Sequence, residues 1–345
     1  MYDNIVDIEA VAVVKNAVEH ADKFVVVCHM TPDGDALGSS LCLWQMLTAM
    51  GKRAIVVTPD MPPQNLMFLP GADNIVVASC HPRRAASLLQ KTDVIFCLDF
   101  NDYARVDRMG AMLSESPAYK IMIDHHLNPV AKVDMLISCP GEPSTSSLVY
   151  CIAHQAGWVE RYLSREGAEC CYTGMMTDTG NFSYNSDYPH LYTIVADLVA
   201  RGVDKDAIYD KVMNTRCLRQ IRIMAYAQYA KLEIIPEHRC ALITLSREEL
   251  DEFGYAKGDT ESLVNVPLSI PGVVYSVYLR EDEPDYVKVS MRSKGAFSVK
   301  DICEAHFGGG GHLNAAGGEM HASLSETVTR LLEILPLYDS MLPSE

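Results

Sequence analysis

The chain has 345 residues, of which 48% are apolar and 21% charged, and it carries a formal charge of −16. That length accommodates two domains with separate cores, and the composition is that of a globular protein. The acidic balance argues against a general binder of long duplex nucleic acid, which needs a broad cationic face. It is compatible with a small phosphorylated substrate, because bound metal ions supply positive charge where the protein surface does not.

At the amino end, Met1-Tyr2-Asp3-Asn4 lacks the basic and apolar regions of a signal peptide. No apolar run approaches the roughly 18 residues needed to cross a bilayer, so the expected setting is the cytoplasm, away from membranes. Residues 8–21 have helical spacing, and Phe24-Val25-Val26-Val27-Cys28 reads as a buried strand. Pro32 and Gly34 then force a turn, and Leu37, Leu41, Trp44 and Met50 mark a helix closed by Gly51. His29, Asp33 and Asp35 therefore fall in a strand-to-helix loop, the place where open α/β sheets bind ligands.

Strands are expected at 54–58 and 75–78, with a helix near 82–90. Asp93–Asp99 is a further strand ending in a carboxylate, and Tyr119–Ile123 repeats the pattern and delivers Asp124, His125 and His126. Strands alternating with helices imply a parallel sheet with right-handed crossovers. Pro143–Ser147 opens a helix through Gly157, and another, roughly 164–178, ends in Thr177-Asp178-Thr179-Gly180. The glycines flanking Asp178 point to close backbone packing around a fixed carboxylate.

Helical patterns continue from about Leu191 to Ala230, and Arg216, Arg219 and Arg222 there read as a solvated face. From Leu232 the texture changes to strands at 240–245, 273–279 and 286–291, then Arg292-Ser293-Lys294 and a helix near 299–306. The glycine loop Gly308–Gly311 precedes His312, and a last helix covers about 324–335. The expected class is α/β: a parallel-sheet catalytic domain over 1–190, a helical connector over 191–231, and a smaller α+β domain over 232–345. The active site is expected in the cleft between the two domains. The 11 cysteines form no Cys-x-x-Cys pair, so no zinc ribbon or disulfide framework is expected. Cys28, Cys97, Cys151 and the pair Cys170-Cys171 read as core residues.

Singly, these polar residues carry little. An Asp before a helix is commonly an N-cap, and Asp35 suits that role. A histidine beside a core strand is commonly hydrogen-bonded. As a set, His29, Asp33, Asp35, Asp99, His125 and Asp178 all fall at element ends, and so many carboxylates in one cleft repel without cations. Carboxylates with some imidazole suit Mn²⁺ or Mg²⁺ better than zinc. Two such ions about 4 Å apart can clamp a phosphoryl oxygen.

His29-x-x-x-Asp33-x-Asp35, strand-end Asp99, Asp124-His125-His126 and Thr177-Asp178-Thr179-Gly180 resemble, in order, the four motifs of the DHH phosphoesterase superfamily. Gly308–Gly311 with His312 and Ala315-Ala316-Gly317 resembles the DHH-associated C-terminal domain. The resemblance spans nearly the whole chain. In size it points to the nanoRNase and pAp-phosphatase branch, without the added domains of RecJ-type exonucleases or the membrane and sensor modules of cyclic-dinucleotide phosphodiesterases.

The resemblance implies that His29, Asp33 and Asp99 hold one metal and that Asp35, Asp99, His125 and Asp178 hold the other. Asp99 would bridge, His126 would face the substrate phosphate or leaving oxygen, and Asp124 would orient the histidines. It implies two Mn²⁺, with Mg²⁺ or Co²⁺ as substitutes, and a hydroxide activated by both. Arg292, Ser293 and His312, with the amides of Gly309, Gly310 and Gly311, would grip the substrate's other phosphate. Independently of the family, exposed glycine amides form an anion nest and Arg offers a forked donor. Lys294 and Lys300 read as ordinary surface charges. Tyr184 and Phe182 are the aromatics that could stack a base.

The implied activity is hydrolysis of short oligonucleotides, of the 3′–5′ exonuclease type, and of adenosine 3′,5′-bisphosphate (pAp), by a homodimer. The enzymatic alternatives are a cyclic- or linear-dinucleotide phosphodiesterase and, less favoured, a pyrophosphatase or exopolyphosphatase. A non-catalytic nucleotide-binding protein on the same scaffold should have lost ligands, and every ligand position is filled here.

Overall fold

A computed structural model describes residues 5–343; Met1–Asn4, whose sequence lacks a signal-peptide pattern, lies outside them. Two compact units meet in sequence at Thr215 and Arg216. In the first, the helices are α1 (Ile8–His20), α2 (Gly34–Ala49), α3 (Pro82–Lys91), α4 (Met109–Glu115), α5 (Thr145–Gln155), α6 (Val159–Tyr162), α7 (Arg165–Asp178), α8 (Pro189–Ala200) and α9 (Lys205–Met213). The strands are β1 (Lys23–Val27), β2 (Arg53–Thr58), β3 (Val76–Val77), β4 (Val94–Leu98), β5 (Tyr119–Asp124) and β6 (Met135–Ser138).

These strands form one sheet in the order β3-β2-β1-β4-β5-β6, with every pairing parallel. Alternate residues serve opposite faces, as the strand period requires. Phe24, Val26, Phe96 and Ile121 join the core formed with α2, α5 and α7. Val25, Val27, Ile95, Cys97 and Met122 join the core that includes Leu89 of α3 and Leu113 of α4. Strand order reverses between β1 and β4, so this is the switch point at which such sheets bind ligands. His29, Asp99 and the Asp124–His126 run all lie at the carboxyl ends of β1, β4 and β5.

β6 had no distinct signal in the sequence: it is a four-residue edge strand in which only Ile137 is buried. The expected connector over 191–231 divides between the units. Leu191, Ile194, Leu198, Ile208 and Val212 of α8 and α9 complete the first core, whereas Ile223, Met224 and Ala227 of α10 (Leu218–Ala230) belong to a core in the second unit. Apolar stripes facing two different cores look alike in sequence, because helical periodicity records that a face is buried and not against what.

The second unit adds β7 (Leu232–Ile235), β8 (Cys240–Leu245), α11 (Arg247–Glu252), β9 (Tyr275–Glu283), β10 (Tyr286–Ser293), α12 (Val299–His306), β11 (Gly310–His312), β12 (Ala315–Met320) and α13 (Leu324–Ile334). Its sheet runs β11-β12-β10-β9-β8-β7, antiparallel except between β8 and β9. Arg219 is not on a purely solvated face: its guanidinium forks onto the buried carboxylate of Asp259 at 2.7 and 3.1 Å. Among the described residues, no helix is long and apolar enough to cross a membrane.

Two helices of the first unit touch backbone to backbone. A Cβ on Gly38 of α2 would lie 2.6 Å from the Cys170 carbonyl oxygen and 2.8 Å from the Gly174 nitrogen of α7. Gly38→Ala should therefore destabilise the first unit by about 1–3 kcal/mol, the cost of overpacking against atoms that cannot yield. The check is the urea midpoint of that unit, and an unchanged midpoint would mean that α2 and α7 separate without cost.

Candidate metal centre

Each expected ligand is held by local structure. After β1, the Met30 amide donates to the Arg105 carbonyl at 2.7 Å and the Thr31 amide, in a left-handed residue, donates to Asp60 Oδ2 at 3.0 Å. Asp33 is the N-cap of α2, its Oδ1 accepting from the amides of Asp35 and Ala36 at 3.0 Å each. The cap is thus Asp33, and Asp35, which the sequence had suited to that role, sits in the first turn. Asp99 follows β4 with φ 66°, a left-handed conformation costly for a residue with a Cβ. Asp178 closes α7. Gly174 lets this helix approach α5: a Cβ there would sit 1.9 Å from Ser146 Oγ.

The side chains converge. His29 Nε2 lies 3.4 Å from Asp99 Oδ2 and 3.7 Å from Asp33 Oδ2. His125 Nε2 lies 3.5 Å from Asp99 Oδ1 and 3.3 Å from Asp178 Oδ2. Both rings use Nδ1 elsewhere, His29 donating to the Met30 carbonyl at 2.8 Å and His125 to the Glu142 carbonyl at 3.1 Å. These bonds fix the ring orientations and leave each Nε2 facing the carboxylates, where it can ligate a metal once its proton is lost. Three groupings able to hold a cation result: His29, Asp33 and Asp99; Asp35, His125 and Asp178; and Asp99, His125 and His126. Asp99 belongs to the first and third of these, and His125 to the second and third, so the three groupings adjoin. His126 Nδ1 donates to Asp124 Oδ1 at 2.7 Å, while the His126 amide donates to Asp124 Oδ2 at 3.1 Å, so Asp124 holds the ring at both ends of its carboxylate.

Electrostatics mark the cluster as strained without cations. Burial, with the charges of Asp99 and Asp33, pushes Asp178 up to about 8. Burial, with Asp99 and Asp178 nearby, raises Asp35 well above the usual carboxylate range. Burial also opposes charge on Asp99 and His29, but their mutual attraction wins. It holds Asp99 down to about 2 and lifts His29 to about 10, helped by Asp33. Only aspartates and histidines make up these groupings among the described residues, a donor set suited to hard or borderline divalent cations in oxygen-rich sites.

Sequence reasoning missed the residues that brace this set. Thr145 Oγ1 donates to Asp99 Oδ1 at 2.9 Å, and the amides of Thr145 and Ser146 donate to the two Asp35 oxygens at 2.6 and 2.8 Å. Glu142, whose carbonyl holds His125, pairs through its carboxylate with His190 Nε2 at 2.9 Å. The available signal was the hydroxyl-rich start of α5, Ser144-Thr145-Ser146-Ser147, legible as a helix opening but not as a carboxylate receptor.

In the second unit, Arg292 is the last residue but one of β10 and its Nη1 donates to the Met291 carbonyl at 2.9 Å. Ser293 is buried; its hydroxyl donates to the Phe297 carbonyl at 2.6 Å and accepts from Asn314 Nδ2 at 2.8 Å, so it braces the turn. The expected glycine loop is in part a strand: Gly310, Gly311 and His312 form β11, paired with Gly317, Ala316 and Ala315. The Gly309 amide donates to the Cys303 carbonyl at 3.2 Å, and a Cβ on Gly309 would lie 1.9 Å from the Gly317 carbonyl oxygen. Close strand packing, and not an open anion nest, is what requires glycine at that position. Phe182 packs at the edge of the first core between Tyr172 and Tyr192, while Tyr184 is exposed.

The family model for the DHH family, N-terminal domain, matches residues 23–175, and that for the DHHA1 domain matches residues 240–336. Over 326 residues the chain is 31% identical to the bifunctional oligoribonuclease and PAP phosphatase NrnA of Thermus thermophilus, covering 94% of this chain and 91% of that one. The chain belongs to the DHH family. Its DHH match encloses every candidate ligand of the first unit except Asp178, and its DHHA1 match encloses Arg292 through His312. The cyclic-di-AMP phosphodiesterase GdpP of Geobacillus thermodenitrificans is 26% identical over 349 residues, covering 94% of this DHH chain and 49% of that longer protein. The crystal structure of an exopolyphosphatase-related protein from Bacteroides fragilis matches with a TM-score of 0.95 at 41% identity, over 98% of each chain.

His29 and Asp178 must both lose their protons to ligate a cation, and both titrate above neutrality, at about 10 and about 8. Protons therefore compete with metal most strongly at low pH, and apparent Mn²⁺ affinity should rise steadily between about pH 6 and pH 9. Calorimetry in buffers of different ionisation enthalpy should show protons released on binding. Equal affinity across that range would contradict this electrostatic description.

Proposed function

We propose that the chain is a metal-dependent phosphoesterase that hydrolyses very short oligonucleotides, in the 3′–5′ exonuclease manner, and removes phosphate from pAp. The observation that carries this reading is the convergence of three groupings of candidate ligands, linked to one another through Asp99 and His125, which is what a paired cation site needs. Similarity to NrnA over most of both chains supports the substrate class. The similarity to GdpP keeps dinucleotide phosphodiesterase as the second reading, since the same site serves either bond.

In this reading His29, Asp33 and Asp99 hold one Mn²⁺, and Asp35, Asp99, His125 and Asp178 hold the other. The pair supplies positive charge at the phosphoryl oxygens and water activation near neutral pH. The chain's own groups orient the reaction. Asp124 holds His126 by Nδ1, which assigns the substrate contact to Nε2, at the phosphate or the leaving oxygen. Arg292 and His312 take the substrate's other phosphate, Arg292 through its forked guanidinium. Tyr184, exposed on the first unit, is the aromatic for stacking a base. The enzyme acts as a cytoplasmic homodimer.

The deciding experiment compares a 5′-phosphorylated diribonucleotide, pAp, cyclic di-AMP and pyrophosphate, each with Mn²⁺ and with EDTA. Turnover of the diribonucleotide and pAp, lost in EDTA, is expected; turnover of pyrophosphate alone would overturn the nucleotide assignment. Asp99→Ala should reduce hydrolysis to background by unseating both metals, and near-normal turnover would remove the bridging role. His312→Ala should raise KM several-fold more for substrates with a distal phosphate than for those without one. Equal effects on the two classes would refute the grip.

A further inference from the structure

The ligands come from elements far apart in sequence, and one short segment touches three of them. His125 follows β5, Asp99 follows β4, and Asp35 lies in the first turn of α2. Glu142 accepts the Nδ1 proton of His125 on its carbonyl at 3.1 Å. Three residues on, Thr145 donates its hydroxyl to Asp99 Oδ1 at 2.9 Å and its amide to Asp35 Oδ2 at 2.6 Å. Ser146 completes the hold on Asp35 with an amide bond of 2.8 Å to Oδ1. Thr145, Ser146 and Ser147 are wholly buried, and Glu142 is nearly so.

The segment is itself locked at both ends. The Cys139 amide donates to the Asp124 carbonyl at 2.9 Å, and the Glu142 amide to the Cys139 carbonyl at 2.9 Å, which ties the approach to the end of β5. Ser144 caps α5, its hydroxyl accepting from the Ser147 amide at 3.1 Å. The Glu142 carboxylate receives His190 Nε2 at 2.9 Å, from the first turn of α8, and Ser147 Oγ at 3.4 Å. Each Asp35 oxygen keeps a second lone pair after accepting one amide, so the bonds that orient this carboxylate do not use up its capacity to ligate. The first-turn amides of α5 also present the positive end of that helix to Asp35 and offset its burial.

We propose that Glu142–Ser147, clamped by His190, is a positioning bracket that holds Asp99, Asp35 and His125 in ligating geometry before any cation arrives. Thr145 is its central positioning residue, the only member bonded to two of the carboxylates among the described hydrogen bonds. The proposal rests on the metal-dependent reading and adds to it the residues that set metal affinity. Groups that orient ligands in this way typically contribute 10–100-fold to metal binding.

The test titrates Mn²⁺ into metal-free protein by calorimetry, for the parent, Thr145→Val and Thr145→Ser. Valine keeps the shape and the backbone amide but removes the hydroxyl, whereas serine keeps the hydroxyl. The parent should bind two Mn²⁺ per chain; Thr145→Val should bind at least one of them about 10–100-fold more weakly. Thr145→Ser should return to within a few-fold of the parent. Two ions bound by Thr145→Val with parental affinity would overturn the bracket while leaving the phosphoesterase reading intact. A loss shared equally by Thr145→Ser would also overturn it, because packing and not the hydroxyl would then be responsible. A parent that binds no Mn²⁺ would overturn both. Should Thr145→Val fail to fold, His190→Ala applies the same test through Glu142: weaker Mn²⁺ binding supports the bracket, and parental affinity refutes it.

Discussion

Mutual repulsion among buried carboxylates is the constraint on which the first unit depends. Asp35 and Asp99 are almost inaccessible and Asp178 lies close by, yet all three lie within reach of His125. Burial alone would drive such groups to neutrality. The fold instead surrounds them with donors: the amides of Thr145 and Ser146, the hydroxyl of Thr145, and the rings of His29 and His125. What the donors leave uncompensated shows in the raised titration of Asp178, and it is the part a divalent cation is suited to neutralise.

Backbone geometry serves the same end. Parallel strands deliver their carboxyl ends to one edge of the sheet, and the order reversal between β1 and β4 opens the crevice there. Helices α2 and α7 must come very close for Asp35 and Asp178 to share a site with Asp99. Gly38 and Gly174 permit this, since a side chain at either would collide with the opposite helix or with Ser146. Asp99 accepts a left-handed backbone at the same place, a local cost tolerated where ligand direction matters more than chain comfort.

The second unit shows a different use of small residues. The run of glycines before His312 suggested open amides ready for an anion, but much of it is folded flat against β12 as an edge strand. Gly309 is tight against Gly317, and its amide is already bonded to Cys303. Ser293 likewise serves the turn that presents Arg292 and His312 more directly than it could serve a ligand. The phosphate grip proposed for this unit therefore rests chiefly on Arg292 and His312.

Local chemistry determined much of this protein from sequence alone. Apolar runs ending in Asp or His identified β1, β4 and β5 and the candidate ligands at their ends, because strand periodicity and chain direction together place such residues at one sheet edge. Ordered motifs were legible for the same reason: His29 to Asp35 and Asp124 to His126 are each contiguous, so their geometry is set within a few bonds. Only the tertiary structure decided what depends on partners remote in sequence. Thr145 and Asp99 are 46 residues apart, and Ser146 and Asp35 are 111 apart. No local pattern distinguishes a helix-opening threonine from one that holds a buried carboxylate. The division of 191–231 between two cores and the pairing of β11 with β12 have the same origin. A side chain's burial can be read from its period, but its partner is settled only when the chain has folded back upon itself.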